Sequence, residues 1–381
     1  MTVDNTDSEP RARDQCQRFH NRDGGPGQAA AFIPDMGGKY NKIDGDVYVN
    51  GEQPDNYDLY YGGYGETTIT HEIGHAIGLS HTGDYNATDS EGNPVQPTYD
   101  ADATFFQDTY QYSIMSYFGA DNSGATGFVN WATGGYYQTP QTPMIHDIAA
   151  VQSLYGADLT TRTGNTVYGF NSNAGNAVYD FTQNKNPFLS IYDAGGHDTL
   201  DLSGFTGDHE ILDLRPGAFS TGYNHGDAAQ LNAVWGINGS QAFWDAVYDG
   251  RTSNPAFLTE NIGIAYNTII EDGKTGTGND LLQGNDVANV LDAGAGNDTL
   301  IGGAGNDKFV FAKDGSTDTI NDFATGADKV DLSALSTVGA ANVSYSATTH
   351  QVQIDTNGDG TADMFINSAH VVNAGDYLFH A

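Results

Sequence analysis

The chain has 381 residues, room for two to three domains at about 150 residues each, and its 38% apolar content and 49 glycines exclude both a single small module and a wholly disordered chain. Lys and Arg number 14 against 49 Asp and Glu, a formal charge of −35 that repels a phosphate backbone and argues against a nucleic-acid partner. The acid is 41 Asp to only 8 Glu, and Asp with Gly is the chemistry of turns that aim carboxylates at a hard cation such as Ca²⁺, the plainer alternative being a generally acidic, salt-tolerant surface.

Residues 1–28 are polar, hold four of the seven arginines and follow neither helical nor strand periodicity, so this segment is expected to be disordered. Its first residues, MTVDNTDSEPRARDQ, lack the apolar core of a secretory signal peptide, and no run anywhere is long and apolar enough to span a bilayer. Cys16 is the lone cysteine, so no intramolecular disulfide can form and calcium is the available staple. Short strands are expected at Ala30–Ile33 and Asp46–Asn50, then a helix at Glu66–Ile77 with Ile69, Ile73 and Ile77 along one face. Thr82–Pro143 reads as long loops, and a second helix follows at Pro143–Tyr155, with Pro143 in its first turn and Gly156 as its stop. An α+β unit over 29–156 is therefore expected to give way to an all-β unit over 157–381, in which FLSIYD, DKVDLS and QVQIDT read as strands and Gln241–Tyr248 as a lone helix.

The all-β half contains a nine-residue repeat, TGTGNDLLQ, GNDVANVLD, AGAGNDTLI and GGAGNDKFV, beginning at Thr275, Gly284, Ala293 and Gly302. Leu282, Leu291, Leu300 and Phe309 hold the inward position, and Asp280, Asp298 and Asp307 the acidic one, with Asn289 in its place in the second unit. This is the pattern of a calcium-binding parallel β-roll: six residues turn, and a short strand then points its apolar side chain inward. Each unit makes half a coil, so the turn at 275 should stack on that at 293 and the turn at 284 on that at 302, with carboxylates on one edge repelling unless Ca²⁺ lies between them. Candidate calcium-binding positions are Gly276, Gly278, Asp280, Gly284, Asn285, Asn289, Gly294, Gly296, Asp298, Gly302, Gly303, Gly305 and Asp307, and the second unit, with Val287 where the others carry Gly, should bind less well.

The chemistry-bearing motif is His71-Glu72-Ile73-Gly74-His75-Ala76-Ile77-Gly78-Leu79-Ser80-His81, or H-E-x-x-H-x-x-G-x-x-H. Histidines four apart on a helix share a face and can share one metal; Gly78 lets the chain turn out of the helix and bring His81 round as a third ligand. Three neutral imidazoles leave a catalytic Zn²⁺ open to water, and Glu72, next to His71, is the candidate general base for peptide hydrolysis.

Downstream lies Ser113-Ile114-Met115-Ser116-Tyr117. With the three histidines it resembles the Met-turn of the metzincin metalloproteases, and Met-x-Tyr resembles the serralysin and astacin groups. The resemblance implies that Tyr117 is a displaceable zinc ligand that donates a hydrogen bond to the transition-state oxyanion, and that Met115 forms a hydrophobic floor under the metal. Joined to the glycine-rich repeats, the pattern resembles a serralysin, a secreted bacterial zinc endopeptidase, over residues 29–381. On that resemblance Arg162, Gly164 and Thr166, then Asp193, Gly195, Gly196 and Asp198, and finally Glu271 are further calcium ligands. It also implies an uncleaved C-terminal signal, matched here by Gly375-Asp376-Tyr377-Leu378-Phe379-His380-Ala381, that is read by an ABC-type exporter.

Independently of any family, Asp355, Asn357, Asp359 and Asp363 alternate as in an EF-hand loop, but between strand-like flanks, so the segment reads either as a calcium-holding hairpin or as an ordinary turn. Members of the family carry a long helix and further strands ahead of the active-site helix, whereas 70 residues precede His71 here. The reading is therefore a metzincin-like α+β catalytic domain, short at its N-terminus, followed by an all-β parallel β-roll or sandwich domain. It implies one catalytic zinc, several calcium ions, protein or peptide substrates and a secreted monomer. The alternative is a calcium-dependent surface or adhesion protein with an inactive protease half.

Overall fold

The computed structural model describes residues 19–22, 28–34, 44–83, 85, 96–129, 136–205, 209–223, 240 and 258–380. Strands β1 (Phe19–Arg22), β2 (Ala29–Ala31) and β3 (Val47–Asn50) form a small sheet of order β1-β3-β2, with β1 parallel and β2 antiparallel to β3. The segment expected to be disordered thus contributes a strand. FHNR has no apolar alternation to announce itself; it is recruited by the backbone groups along the edge of β3, a pairing that any non-proline sequence can make.

Helix α1 (Tyr64–Ala76) lies against β2 and β3 and ends where expected. Gly78 takes φ of +102°, and the amides of Gly78 and Leu79 donate to the His75 and Gly74 carbonyls, closing the last turn. The face it buries differs from the expected one. Ile69, Ile73 and Ile77 are only half-buried, whereas Gly65, Thr67, Glu72, Gly74, His75 and Ala76 are buried. Small residues permit this at both edges of the buried arc: a β-carbon on Gly74 would stand 2.6 Å from the Met115 sulfur, and one on Gly65, half a turn round the helix, 2.6 Å from the Asn56 carbonyl oxygen.

The loop region holds a short helix α2 (Tyr99–Asp102) and strands β4 (Thr126–Val129) and β5 (Tyr136–Tyr137). Helix α3 (Ile145–Tyr155) begins two residues later than expected. The Asp147 carboxylate accepts from the Met144 amide at 2.8 Å, which makes Met144 the N-cap and leaves Pro143 just outside the helix. Gly156, at φ of +85°, ends it. Among the described residues no helix is long and apolar enough to cross a membrane.

Among the described residues from 167 onward, strands dominate, interrupted by a few short 3-10 turns: β6 (Val167–Gly169), β7 (Leu189–Ile191), β8 (Thr199–Asp201), β9 (Ile211–Asp213), β10 (Phe219–Ser220), β11 (Leu258–Thr259), β12 (Ile262–Ile264), β13 (Asp272–Lys274), β14 (Leu281–Gln283), β15 (Val290–Asp292), β16 (Thr299–Ile301), β17 (Lys308–Val310), β18 (Thr317–Ile320), β19 (Lys329–Asp331), β20 (Val343–Ser346), β21 (Gln351–Ile354), β22 (Met364–Ser368) and β23 (Tyr377–Leu378). The helix expected at Gln241–Tyr248 lies outside the described residues. Two seven-stranded sheets face each other, β23-β19-β17-β15-β13-β8-β6, parallel throughout, and β20-β21-β22-β18-β16-β14-β9, parallel from β9 to β22. Leu200, Leu291, Phe309 and Val330 of the first sheet meet Leu212, Leu282, Leu300, Ile320 and Ile366 of the second in one fully buried core. Register follows the half-coil expectation: Leu291 pairs with Phe309 and Leu282 with Leu300, while the turn at 275 stacks on that at 293 through Gly278 N–H to Ala295 O and Ala295 N–H to Gly276 O. The two halves also meet directly, because β11 adds antiparallel to β4 and the Gln111 side chain donates to Glu260 at 2.6 Å.

Candidate metal centre and active site

Helix α1 presents His71 and His75 one turn apart, and the Gly78 turn returns His81 to them. The His81 Nε2 lies 3.2 Å from Nε2 of His71 and 3.0 Å from that of His75. Each helical histidine points its other nitrogen at a backbone carbonyl, His71 Nδ1 at Ile114 O (2.8 Å) and His75 Nδ1 at Leu79 O (2.7 Å). A carbonyl can only accept, so Nδ1 carries the proton and the Nε2 lone pairs face one another. Burial lowers the pKa of all three rings, to about 4 for His71 and His81, which keeps them neutral. The two helical lone pairs and His81 Nε2 converge, and separations of 3.0–3.2 Å suit nitrogens that share a metal at about 2.0–2.1 Å. Among the described residues this is the group of three or more His, Cys, Asp or Glu side chains able to hold a metal. The residues present fit zinc.

Beside them opens a cleft of about 350 Å³ lined by His71, Glu72, Tyr117, Tyr64 and Tyr110. One Glu72 oxygen is buried there with no hydrogen-bond partner, and burial pushes the pKa of this carboxyl up to about 7, into the range of a general base. The Tyr117 ring stands edge-on to His81, 4.7 Å between centroids, and 5.9 Å from His71; it is 42% exposed. Met115, fully buried, lies against Gly74 beneath the histidines. The Asp147 carboxylate holds this turn in place, accepting from the Ser113 hydroxyl (2.6 Å) and the Ile114 amide (2.7 Å), which fixes the carbonyl that orients His71. Sequence reasoning missed Asp147; an acidic residue in the first turn of the helix was the available signal.

In the roll, the predicted residues form two carboxylate ladders. On one edge Glu210 N–H donates to Asp280, Asp280 N–H to Asp298 and Asp298 N–H to Asp318; on the other Thr166 N–H donates to Asp198, Asp198 N–H to Glu271, Asn289 N–H to Asp307 and Asp307 N–H to Asp328. Burial, followed by neighbouring carboxylates, pushes pKa values up to about 8 for Asp298, about 7 for Asp318 and about 6 for Asp307 and Asp198. Asp318 and Asp328 escaped the sequence reading because they follow Asp298 and Asp307 by 20 and 21 residues, which breaks the period of nine. At the start of the roll, Gly196 lies so near Gly164 that a β-carbon would come within 2.4 Å of its carbonyl oxygen, and the Asp193 carboxylate accepts from Gly195 N–H and the Tyr168 hydroxyl. The Arg162 side chain turns away into a box with Tyr168, Tyr179 and the Tyr192 carbonyl, so only its backbone can serve a cation.

Of the repeat glycines, Gly278, Gly294, Gly296, Gly303 and Gly305 take positive φ. Gly276, Gly284 and Gly302 do not, and are small because neighbouring chain leaves no room: a β-carbon on Gly284 would sit 2.2 Å from Gly302 O, and those on Gly276 and Gly302 would meet Ser203 O and the Asp307 carboxylate. Asn285 is buried and donates to the Leu214 and Ile270 carbonyls. In the Asp355–Asp363 segment β21 and β22 form the expected hairpin, and both Asp355 oxygens accept backbone N–H groups, from Gly358 and Gly360.

Comparison with known proteins agrees with this arrangement. The family description Peptidase M10 serralysin C terminal matches residues 157–228 and 246–378, and Metallo-peptidase family M12B Reprolysin-like matches residues 9–134. The second match begins ahead of residue 29, where the resemblance read from the sequence starts. The chain is 37% identical over 390 residues to Metallopeptidase AprA of Pseudomonas marginalis, covering 92% of this chain and 71% of that one. It is 39% identical to Metalloprotease AprA of Pseudomonas entomophila (90% and 68%) and 40% identical to Serralysin C of Dickeya chrysanthemi (81% and 57%). A histidine-centred peptidase fold joined to a β-roll defines a two-part zinc metalloendopeptidase. The chain belongs to the serralysin family.

Proposed function

We propose that this chain is a secreted endopeptidase that hydrolyses extracellular proteins with one zinc ion held by His71, His75 and His81, with Tyr117 as a displaceable fourth ligand. The observation that carries the reading is the convergence of three neutral Nε2 atoms beside a buried, unpartnered Glu72 oxygen. Zinc, when bound, supplies Lewis-acid polarisation of the peptide carbonyl and makes water more acidic. Glu72 accepts a proton from the attacking water and passes it to the departing amine as the C–N bond breaks and the new carboxyl keeps the water oxygen. Tyr117 donates a hydrogen bond to the developing oxyanion, and Met115 packs under the histidines.

The catalytic unit runs to residue 156 and the roll from 157. Arg162, Gly164 and Thr166 (through backbone or hydroxyl oxygens), Asp193, Gly195, Gly196, Asp198, Glu271 and the repeat positions bind several calcium ions; the raised carboxyl pKa values of the ladders support this. Folding of the roll is then completed outside the cell, where calcium is plentiful, after export of a monomer through an ABC-type exporter that reads the C-terminal residues.

Casein cleavage by the chain and by Glu72→Ala, both supplied with Zn²⁺ and Ca²⁺, tests the reading. Cleavage by the parent alone is expected; equal background from both would leave the adhesion-type alternative.

A further inference from the structure

Asp108 is fully buried, and a single oxygen of its carboxylate accepts from three hydroxyls, those of Thr82, Tyr85 and, at 2.9 Å, Ser116. Thr82 is the residue after His81, and Ser116 is the residue before Tyr117. One carboxylate therefore ties the loop that delivers the third histidine to the turn that delivers the tyrosine. Tyr85, buried with its hydroxyl oxygen 2.6 Å from that of Thr82, lays its ring against that of Tyr117, with centroids 4.7 Å apart and planes 28° from parallel, and stands 5.5 Å from His81. Its other side packs edge-on against Phe118 at 5.1 Å. Burying a carboxylate is expensive, and packing alone would be served as well by an apolar residue of the same size. What three converging hydroxyls add is direction: they hold the Tyr85 ring as a fixed wall on one side of Tyr117, whose own ring is 42% exposed.

We propose that Asp108 and Tyr85 are positioning residues, which set the place of Tyr117 relative to His81 and so govern how well its hydroxyl meets the oxyanion. The inference rests on the role given to Tyr117 above. If Tyr85 acts through Tyr117, its removal slows turnover without loosening the metal or the substrate, and the loss disappears once Tyr117 has no hydroxyl to aim.

The test is a double-mutant cycle on the zinc- and calcium-loaded chain, with kcat and KM measured on a fluorogenic peptide together with zinc content and the melting curve. Tyr85→Leu is expected to lower kcat about tenfold at near-constant KM in the parent, but less than about twofold in a Tyr117→Phe background. Tyr85→Phe keeps the ring but drops its tie to Asp108, and is expected to lose less than Tyr85→Leu. Asp108→Asn should show the same dependence on Tyr117. Equal fractional losses in both backgrounds, a rise in KM in place of the fall in kcat, or loss of zinc in Tyr85→Phe would overturn the proposal. Parent activity independent of Glu72 would instead sink the peptidase reading, and this inference with it; additive losses in a Glu72-dependent parent sink the inference alone.

Discussion

At Gly296 one added carbon would stand 1.5 Å from the Gly278 carbonyl oxygen, on a residue held at φ of +132°. Gly315 also has positive φ, at +80°, but open space around it. The two glycines separate close approach from backbone preference. Gly315→Ala should cost about 1 kcal/mol, and Gly296→Ala clearly more, because the turns at 275 and 293 must move apart; denaturant titration in saturating calcium measures both. The same scale governs the chemistry. Glu72→Gln should keep stoichiometric zinc, since its carboxylate is not among the converging nitrogens, yet lose on the order of 10²–10⁴ in kcat as the proton acceptor disappears; metal analysis beside peptide kinetics checks it, and zinc loss would make Glu72 a ligand instead.

Among the elements, the roll strands are three residues long and individually negligible; their stability comes from the inward side chain that each contributes to the shared core. Leu291, fully buried between Gly273 and Phe309 in its sheet, should cost about 2–5 kcal/mol when cut to Ala. The turns that join these strands set a pH dependence. In the calcium-free chain Asp298 and Asp318 have folded pKa values near 8 and 7, above the ordinary carboxylate range, so folding takes up protons between about pH 4 and 8. Their contribution to the stability of the calcium-free roll is therefore present at low pH and lost as pH rises through those values, while calcium affinity, which needs the ionised form, rises over the same span. Melting curves in a calcium chelator at pH 5 and pH 8 should show the higher midpoint at pH 5, and the reverse order would contradict the stacked-carboxylate account.

For the whole molecule, the proposed zinc and calcium sites lie in different halves that are nonetheless joined, since β11 extends the β4 sheet and Gln111 donates to Glu260. A zinc-selective chelator should abolish cleavage while leaving the far-ultraviolet β signal of the roll almost intact. A calcium-selective chelator should lower the temperature at which that signal melts and lower activity with it, and both should return on adding Ca²⁺. Activity that survives full loss of the roll signal would mean that the catalytic half does not lean on it.

The metal site and the roll were legible because each is written in local spacing. Histidines four apart on a helix followed by Gly78, and Leu or Phe every nine residues, force one geometry wherever the rest of the chain lies. Pairings that depend on distant chain were not legible. The Phe19–Arg22 strand exists only because the edge of β3 accepts it; the buried face of α1 was chosen by Met115 and Asn56, and not by its own isoleucines. Asp318 and Asp328 join their ladders across loops that break the repeat, and Asp108 gathers hydroxyls from residues 82, 85 and 116. The sequence by itself thus determined which side chains could hold metal and how the repeats would coil. Tertiary structure decided what supports them, because a side chain's partners across a loop are selected by three-dimensional proximity, for which the order of residues carries no period to read.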